Sequence, residues 1–494
     1  MRYIRLSAVL LLAACGDSEP TAPPTPPTPP TPPTPVATSV TLSATSLSFS
    51  SLGATQQLSA TVKDQNGATM SGASVTWSSS STSVATVSST GLVTAAADGT
   101  ATITATSGSV SDTAVVTVET WMSISAGLFH SCGLTTSGDG YCWGYNANGR
   151  LGDGTTIQRT KPVLVSGGYE WISISAGGHS CGVTKAGDAY CWGDNDSGQL
   201  GDGTTTGSKE PVQVSGGHTW ASVSSGTEYT CGLTTAGDAY CWGKNSDGVL
   251  GDGTTTDRSI PTLVAGGYTW ASVDSGTRHT CGATTEGDGY CWGWEFWGQG
   301  GVDGTWKNQH VAERQEPTTI TSPSQKVKGL SIASISSGGI HSCGITTGSE
   351  GYCWGNNESG QIGNGSFAEG RSQWRGIYTH DWGLMAPEII TGLHTWISVS
   401  AGDRSTCGVK TTDELYCWGL NANGRLGINS TTLEVATPSL VYGGHTWTSV
   451  SAGGAHACGV TTAGNAYCWG SSEAGQVGNG SVNNSGIPAK VSWN

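Results

Sequence analysis

Cysteine recurs in this chain as seven pairs, and nine residues separate the members of every pair, from Cys132 and Cys142 through to Cys458 and Cys468. The intervals between pairs drift, and two are much longer than the rest, yet the internal spacing never changes. A distance held constant through seven copies is one that three-dimensional structure fixes. A self-similar unit about every fifty residues also restricts the fold to repeat architectures. The unit is Cys132 to Gly144, Cys-Gly-Leu-Thr-Thr-Ser-Gly-Asp-Gly-Tyr-Cys-Trp-Gly, and it returns at Cys181, Cys231, Cys281, Cys343, Cys407 and Cys458. Twenty Trp against four Phe and four Met, abundant Gly and sparse charge argue for short strands and Gly-rich turns rather than long helices. The formal charge of −15, with no Lys/Arg cluster to offset it, excludes a nucleic-acid-binding role.

The second unit shows how one copy folds. Trp171 to Ser175 alternates as a strand should, His179 to Thr184 follows as a second strand, Ala186-Gly187 turns the chain, and Asp188 to Trp192 makes a third. Pro211 to Val214 is expected as the fourth, because proline suits an outer edge where a ladder donor is dispensable. Four strands repeated seven times predict a seven-bladed β-propeller. A straight solenoid would need capping repeats, and none is visible.

Hairpin register then sets the sulfur chemistry. If Cys181 faces Cys191, Val183 faces Ala189 and the turn falls on Lys185-Ala186-Gly187. Directly opposed residues at a non-hydrogen-bonded position come within disulfide range. The expected bonds are Cys132–Cys142, Cys181–Cys191, Cys231–Cys241, Cys281–Cys291, Cys343–Cys353, Cys407–Cys417 and Cys458–Cys468. Metal binding would call for Cys-x-x-Cys, which is absent. Disulfides require an oxidising compartment.

The N-terminus carries an address consistent with that. Residues 1–14, with Arg2 and Arg5 ahead of the apolar run Leu6 to Ala14, read as a signal peptide too short to span a bilayer. Leu12-Ala13-Ala14-Cys15 resembles the lipobox of bacterial lipoproteins, which implies cleavage before Cys15 and its lipidation; Gly16 after it favours the outer membrane or cell surface. Residues 15–35 continue as a Thr/Pro-rich linker, a semi-rigid polyproline-type spacer.

Residues 36–118 alternate with period two: Val40, Leu42, Leu47 and Phe49, then Leu58, Ala60 and Val62, then Val75 and Trp77, with later runs to Val118. Asn66-Gly67, Thr90-Gly91 and Asp98-Gly99 punctuate them, which predicts a small β-sandwich with Trp77 as its largest buried residue. Val75-Thr76-Trp77-Ser78, Thr90-Gly91-Leu92-Val93 and Gly99-Thr100-Ala101-Thr102-Ile103 resemble the bacterial immunoglobulin-like group 2 domain. The resemblance implies a spacer in a surface protein.

Across residues 119–494, Ala-Gly-x-x-His-Ser-Cys followed by Tyr-Cys-Trp-Gly-x-Asn-x-x-Gly-Gln-Leu-Gly, as around Gly177 to Gly201, resembles the regulator-of-chromosome-condensation repeat. The resemblance implies the same seven-bladed propeller. Its founding member exchanges guanine nucleotide and binds chromatin, while others serve as protein-interaction platforms. An export signal, paired cysteines and an acidic balance do not suit the exchange role.

Three features bear on function. His130, His179, His279, His341 and His456 share one repeat position, which Tyr229 and Ser405 fill elsewhere; a repeat-fixing hydrogen bond accounts for them better than a metal ring of one His per blade. Asp153-Gly154, Asp202-Gly203 and Asp252-Gly253 are expected to be turns. Weak calcium binding there is the one cofactor left open, since one carboxylate per loop supplies few oxygens. Two neighbouring units carry long insertions between the third and fourth strands, and these should lie side by side on one rim. One runs through Trp294, Phe296, Trp297, Trp306, His310 and Arg314 to about Ser331. The other runs through Phe367, Arg371, Trp374, Arg375, Tyr378, His380 and Trp382 to about Pro387. Trp, Tyr and Arg are the residues of binding hot spots, so Trp294, Trp297, Trp306, Arg314, Arg371, Trp374, Arg375, Tyr378 and Trp382 are the candidate contacts to an extracytoplasmic protein or surface glycan. No nucleophile elbow or His-Glu-x-x-His motif occurs. A membrane-tethered monomeric binding platform is expected, with a polysaccharide lyase or hydrolase as the rival.

Overall fold

Neighbouring side chains on a strand leave by opposite faces, so each Tyr-Cys-Trp sends its cysteine to one side of a blade and its tryptophan to the other. That alternation builds the ring. In the computed structural model, which describes residues 34–301, 318–324, 326–327, 329–368, 373–374, 377–378, 383–392 and 395–492, seven four-stranded antiparallel sheets follow one another. Their innermost strands are Trp121–Ala126, Trp171–Ala176, Trp220–Ser225, Trp270–Ser275, Ile332–Ser337, Trp396–Ala401 and Trp447–Ala452, and these define blades 1 to 7. Among the described residues there is no α-helix.

The cores lie between blades rather than within them. Cys132, Cys142, Leu134 and Leu151 of blade 1 pack on Trp171, Ile174 and Trp192 of blade 2, and the same grouping repeats around the molecule. The tryptophan after each second cysteine is at most 1% exposed. Burying one such ring removes roughly 200 Å² from water, about 5 kcal/mol as an upper bound. Cys132 pairs directly with Cys142, and the six other pairs occupy the same register. Their Cα atoms lie 4.0–4.1 Å apart and the sulfurs are bonded. The glycine after each first cysteine has a cause as well: a Cβ on Gly133 would lie 2.5 Å from the Trp121 ring that crosses it.

The ring closes without a shared strand. Ser485–Lys490 completes blade 7 as its outer strand, so blade 7 and blade 1 are each built from one continuous stretch. Their seam is held by the same kind of core as the others, with Trp121 and Trp143 set against Cys458, Cys468, Val477 and Val491.

Several bounds differ from the sequence reading. The outer strand of blade 2 is Ser208–Gln213, not Pro211 to Val214; its pattern is too polar and half-exposed to mark its own ends. Pro211 does sit on that edge, as Pro162, Pro261, Pro387, Pro438 and Pro488 do on others, which removes ladder donors from the rim and blunts it against pairing with another chain. Outer strands also lie inside the spans read as insertions, at Thr318–Ile320 in blade 4 and Gly383–Ile389 in blade 5.

Residues 36–118 form the β-sandwich. Ser46–Phe49, Val110–Val118, Gly99–Ser107 and Thr76–Ser79 make one sheet; Thr55–Gln57, Leu92–Ala95 and Ala85–Val87 make the other, with Ala37–Leu42 paired to Ala60–Asp64. Trp77 is only partly buried, packing on the edge of a core whose closed centre is Leu58, Val93, Ile103 and Val116. The connection to blade 1 is short and bonded. Thr120 donates its N–H and Oγ to Asp98 Oδ1 (2.9 and 2.8 Å), Trp121 N–H donates to Gly464 O, and Leu52 N–H donates to Ala463 O of blade 7.

Candidate functional site: seams, channel and the insertion face

The repeated histidine works across the blade boundary. His130 Nε2 lies 2.8 Å from Ser180 Oγ of blade 2, and that hydroxyl donates to Arg150 O. Its one hydrogen is thereby used, so the imidazole must carry its proton on Nε2 and donate it. His179 meets Thr230, His279 meets Ser342, His341 meets Thr406, and His456 reaches Ser131 to close the ring. Most of these hydroxyls donate to a carbonyl that also accepts from a buried Trp Nε1, as Gln199 O does from Thr230 and Trp242. Burial holds all five imidazoles neutral: it pushes His179, His341 and His456 down to about 3 and His279 to about 4, and His130 well below its ordinary value. Where Tyr229 replaces histidine, its hydroxyl donates to His279 O at 2.6 Å instead. The expected hydrogen bond is present, and its partner lies a whole repeat away.

The innermost strands line an axial channel with hydroxyls, and these form a circuit. Ser125 Oγ accepts from Ala176 N–H, Ser175 from Ser225, Ser224 from Ser275, Ser336 from Ala401, Ser400 from Ala452, and Ser451 from Ala126. The seventh position is Asp274, whose carboxylate accepts from Ser337 N–H (2.7 Å) and Ser224 Oγ (2.9 Å), and burial raises its pKa. At the mouth the blades converge on Gly127, Gly177, Gly226, Gly276, Gly338, Gly402 and Gly453; a Cβ on Gly177 would stand 2.2 Å from Ser225 O of the next blade. Only glycine permits that approach. The space enclosed there, about 80 Å³, is far below the several hundred Å³ of small-molecule sites. Sequence reading missed Asp274, although stacking the seven repeats shows it as the one non-serine at its position.

Antiparallel order sorts the loops. First-to-second and third-to-outer connections leave on one face of the ring; hairpin turns and blade-to-blade connections leave on the other. The β-sandwich meets the hairpin-turn face at Ala463, whose carbonyl accepts from Leu52 N–H. Both insertions therefore start on the opposite face.

On that face the third-to-outer loop is normally tied by one asparagine. Asn146 Oδ1 accepts from Leu151 N–H, and its amide donates to Asp153, Thr155 O and Ile157 O. Asn195, Asn245, Asn357 and Asn421 act alike. In blade 4 the position is Glu295, which still accepts from Gly300 N–H at 2.6 Å but as a carboxylate has no hydrogen to donate. That difference is where the blade 4 loop departs from the repeat, and burial pushes the carboxyl up to about 7. Trp294 beside it lies under the Arg278 guanidinium (4.4 Å) and stacks with Phe296, which meets Trp297 edge-on; Arg278 is held by Asp247. Phe296 is 40% exposed. Trp294 and Trp297 thus share one aromatic cluster at the root of the first insertion. Trp306, His310, Arg314, Arg371, Arg375, His380 and Trp382 lie outside the described residues, as does Cys15 with residues 1–33; Trp374 and Tyr378 are described only as backbone, in the short ladder Gln373–Trp374 with Ile377–Tyr378. In the Asp-Gly loops, Arg159 grips Asp153 and Arg258 grips Asp252 through two nitrogens each, while Asp202 is held by Thr204. These are turns.

Seven four-stranded blades closed around a narrow axial channel, with both long insertions leaving on one face, define a seven-bladed β-propeller. The chain belongs to the regulator of chromosome condensation (RCC1) repeat family: family profiles match residues 137–183, 186–233, 236–283, 351–409 and 412–460, and a second profile of the repeat matches six stretches between 123 and 476. The bacterial Ig-like domain (group 2) profile matches 36–118. Relatives include the ultraviolet-B receptor UVR8 of Arabidopsis thaliana, 30% identical over 37% of this chain and 38% of its own length. Human protein RCC2 is 30% identical over 31% of this chain and 28% of its own. The chain thus spans well under half of those relatives. Yeast RCC1 (Prp20), solved bound to Kap60, superposes with a TM-score of 0.60 at 21% identity, covering 72% of this chain and 83% of that one. Human WBSCR16 gives 0.60 at 19%, covering 72% and 93%.

Proposed function

We propose that this protein is an exported, envelope-anchored recognition platform whose insertion-bearing face takes an extracytoplasmic protein or a surface glycan. One observation carries the reading: both insertions start on the face opposite the docked β-sandwich, so a tether through that domain turns them outward. The leader-like residues 1–14, Cys15 and the Thr/Pro-rich spacer supply the tether, and the fourteen paired cysteines suit an oxidising compartment. The aromatic and arginine content of the insertions, continued in Trp294, Phe296 and Arg278, supplies contacts of the hot-spot type. The platform acts as a monomer. It needs no cofactor, and calcium at the Asp-Gly loops would have to displace Arg159 and Arg258 from their carboxylates.

The test is removal of residues 369–382, bridged by a short Gly-Ser link. A cut to 386 would destroy the outer strand Gly383–Ile389. Pull-down from the native cell envelope is expected to lose its partner at least about tenfold, as loss of a hot spot does, while circular dichroism and melting stay those of the parent. Undiminished capture by a folded variant would overturn the proposal.

A further inference from the structure

The seven seams are not equally fastened. None of the seven disulfides crosses a seam, because each lies inside one hairpin. What holds neighbouring blades is therefore packing and the hydrogen bonds described above, together with the chain itself at six seams. Between blades 7 and 1 no chain links the two, and there the set of bonds is full: His456 to Ser131, Ser131 to Gln476 O, Trp143 Nε1 to Gln476 O, Ala126 N–H to Ser451 and Gly454 N–H to Gly127 O.

Between blades 6 and 7 the opposite holds. The histidine is Ser405, too short to span the boundary, and the hydroxyl that would receive it is Ala457. Both partners are lost together. The third member of the network is lost as well, since Trp469 Nε1 finds no acceptor among the described residues. Blades 1 and 2 also leave Trp192 Nε1 unmatched, but they keep His130 with Ser180. At the 6–7 seam the channel and mouth bonds remain, Ala452 N–H to Ser400 and Asp403 N–H to Gly453 O, with Arg425 donating to Gly454 O. Two rim bonds remain as well, Trp447 N–H to Asp413 O and Asn429 N–H to Gly486 O, matched at the 7–1 seam by Trp121 N–H to Gly464 O and Gly480 N–H to Thr160 O, so the difference between the seams is the buried His–hydroxyl–Trp set alone.

We infer that the ring parts first between blades 6 and 7, as a split ring hinged on the connecting chain at Tyr442 to Thr446. Blade 7 stays with blade 1 through the full set of bonds, and with the β-sandwich through Leu52 and Ala463. Blade 7 thus keeps blade 1 and the β-sandwich as its neighbours when the seam opens. The disulfides keep every blade intact while the seam opens.

Hydrogen exchange on the full chain under native conditions tests this. The amides of Ala452 and Asp403, bonded across the 6–7 seam, are expected to exchange about tenfold faster than Ala126 and Gly454 at the 7–1 seam, the effect of one net hydrogen bond. Ser405→His with Ala457→Ser should bring the first pair down to the rate of the second and leave the other seams unchanged. If that double variant does not fold, Ser131→Ala is the second arm; it removes the acceptor of His456 and should raise exchange at Ala126 and Gly454 to the level of Ala452. Equal exchange at the two seams in the parent protein, or faster exchange at 7–1, would overturn the inference. So would a folded double variant whose seam exchange does not change.

Discussion

Taking the propeller from pH 7 to pH 5 is expected to lower its unfolding free energy by several kcal/mol, with the loss beginning near pH 6.5. The five seam histidines are neutral in the folded ring, with pKa values pushed by burial down to about 3 for His179, His341 and His456 and about 4 for His279, and well below the ordinary value for His130. In the unfolded chain each titrates near 6.5. Below that pH the unfolded state takes up protons that the folded state refuses, so stability is fully present above about 6.5 and drains as pH falls toward 4 to 3. At pH 5 each of His179, His279, His341 and His456 accounts for about 2 kcal/mol, or about 8 kcal/mol for the four, and His130 acts in the same direction. Glu295 acts in the opposite sense: its carboxyl, held up to about 7, protonates more readily in the folded state and offsets roughly one histidine. Denaturant titration at pH 7, 6 and 5 without reductant checks this. A midpoint that does not move over that range would show that the histidines do not stay neutral inside the seams.

Reducing the seven disulfides should abolish refolding of the propeller and leave the β-sandwich untouched. Each bond joins residues ten apart in sequence, and a loop of that length restricts the unfolded chain by about 2–3 kcal/mol. Seven such contributions, about 14–21 kcal/mol together, reach or exceed the 5–15 kcal/mol by which most domains are stable. The sulfurs also form part of every inter-blade core, against the tryptophans of the next blade. Residues 36–118 contain no cysteine and so supply an internal control. After reduction and alkylation, tryptophan fluorescence should show no cooperative refolding of the ring, whereas the sandwich regains its own transition. Recovery of the parent midpoint by alkylated protein would show that packing alone suffices.

The sequence made the blades visible because the constraint that repeats them is local. A hairpin whose cysteines must oppose one another writes its register into a spacing, and Cys181 opposite Cys191 with Val183 opposite Ala189 is the register found. Outer strands were harder to place. Ser208–Gln213 pairs on one side only and is half-exposed, so neither its start nor its end carries an apolar signal. Trp77 was expected to be the largest buried residue of the sandwich, yet it is only partly buried and packs at the edge, where Gly91 leaves room for its ring. The seam network could not be read before the ring was closed. His130 meets Ser180 fifty residues on, and His456 meets Ser131 from the far end of the propeller. The odd residues are departures within an aligned column: Asp274 and Ala457 each stand alone in theirs, while Ser405 shares its column's exceptions with Tyr229 and Glu295 with Ser472. A residue-by-residue stacking of the repeats was enough to find them.

The central claim is that each blade is a covalently closed hairpin, assembled where thiols oxidise. Protein taken from its native envelope without reductant, denatured and treated with a thiol-alkylating reagent tests it directly. The account predicts that none of the fourteen propeller cysteines from Cys132 to Cys468 takes the label until reductant is added. Labelling of those cysteines before reduction would contradict it.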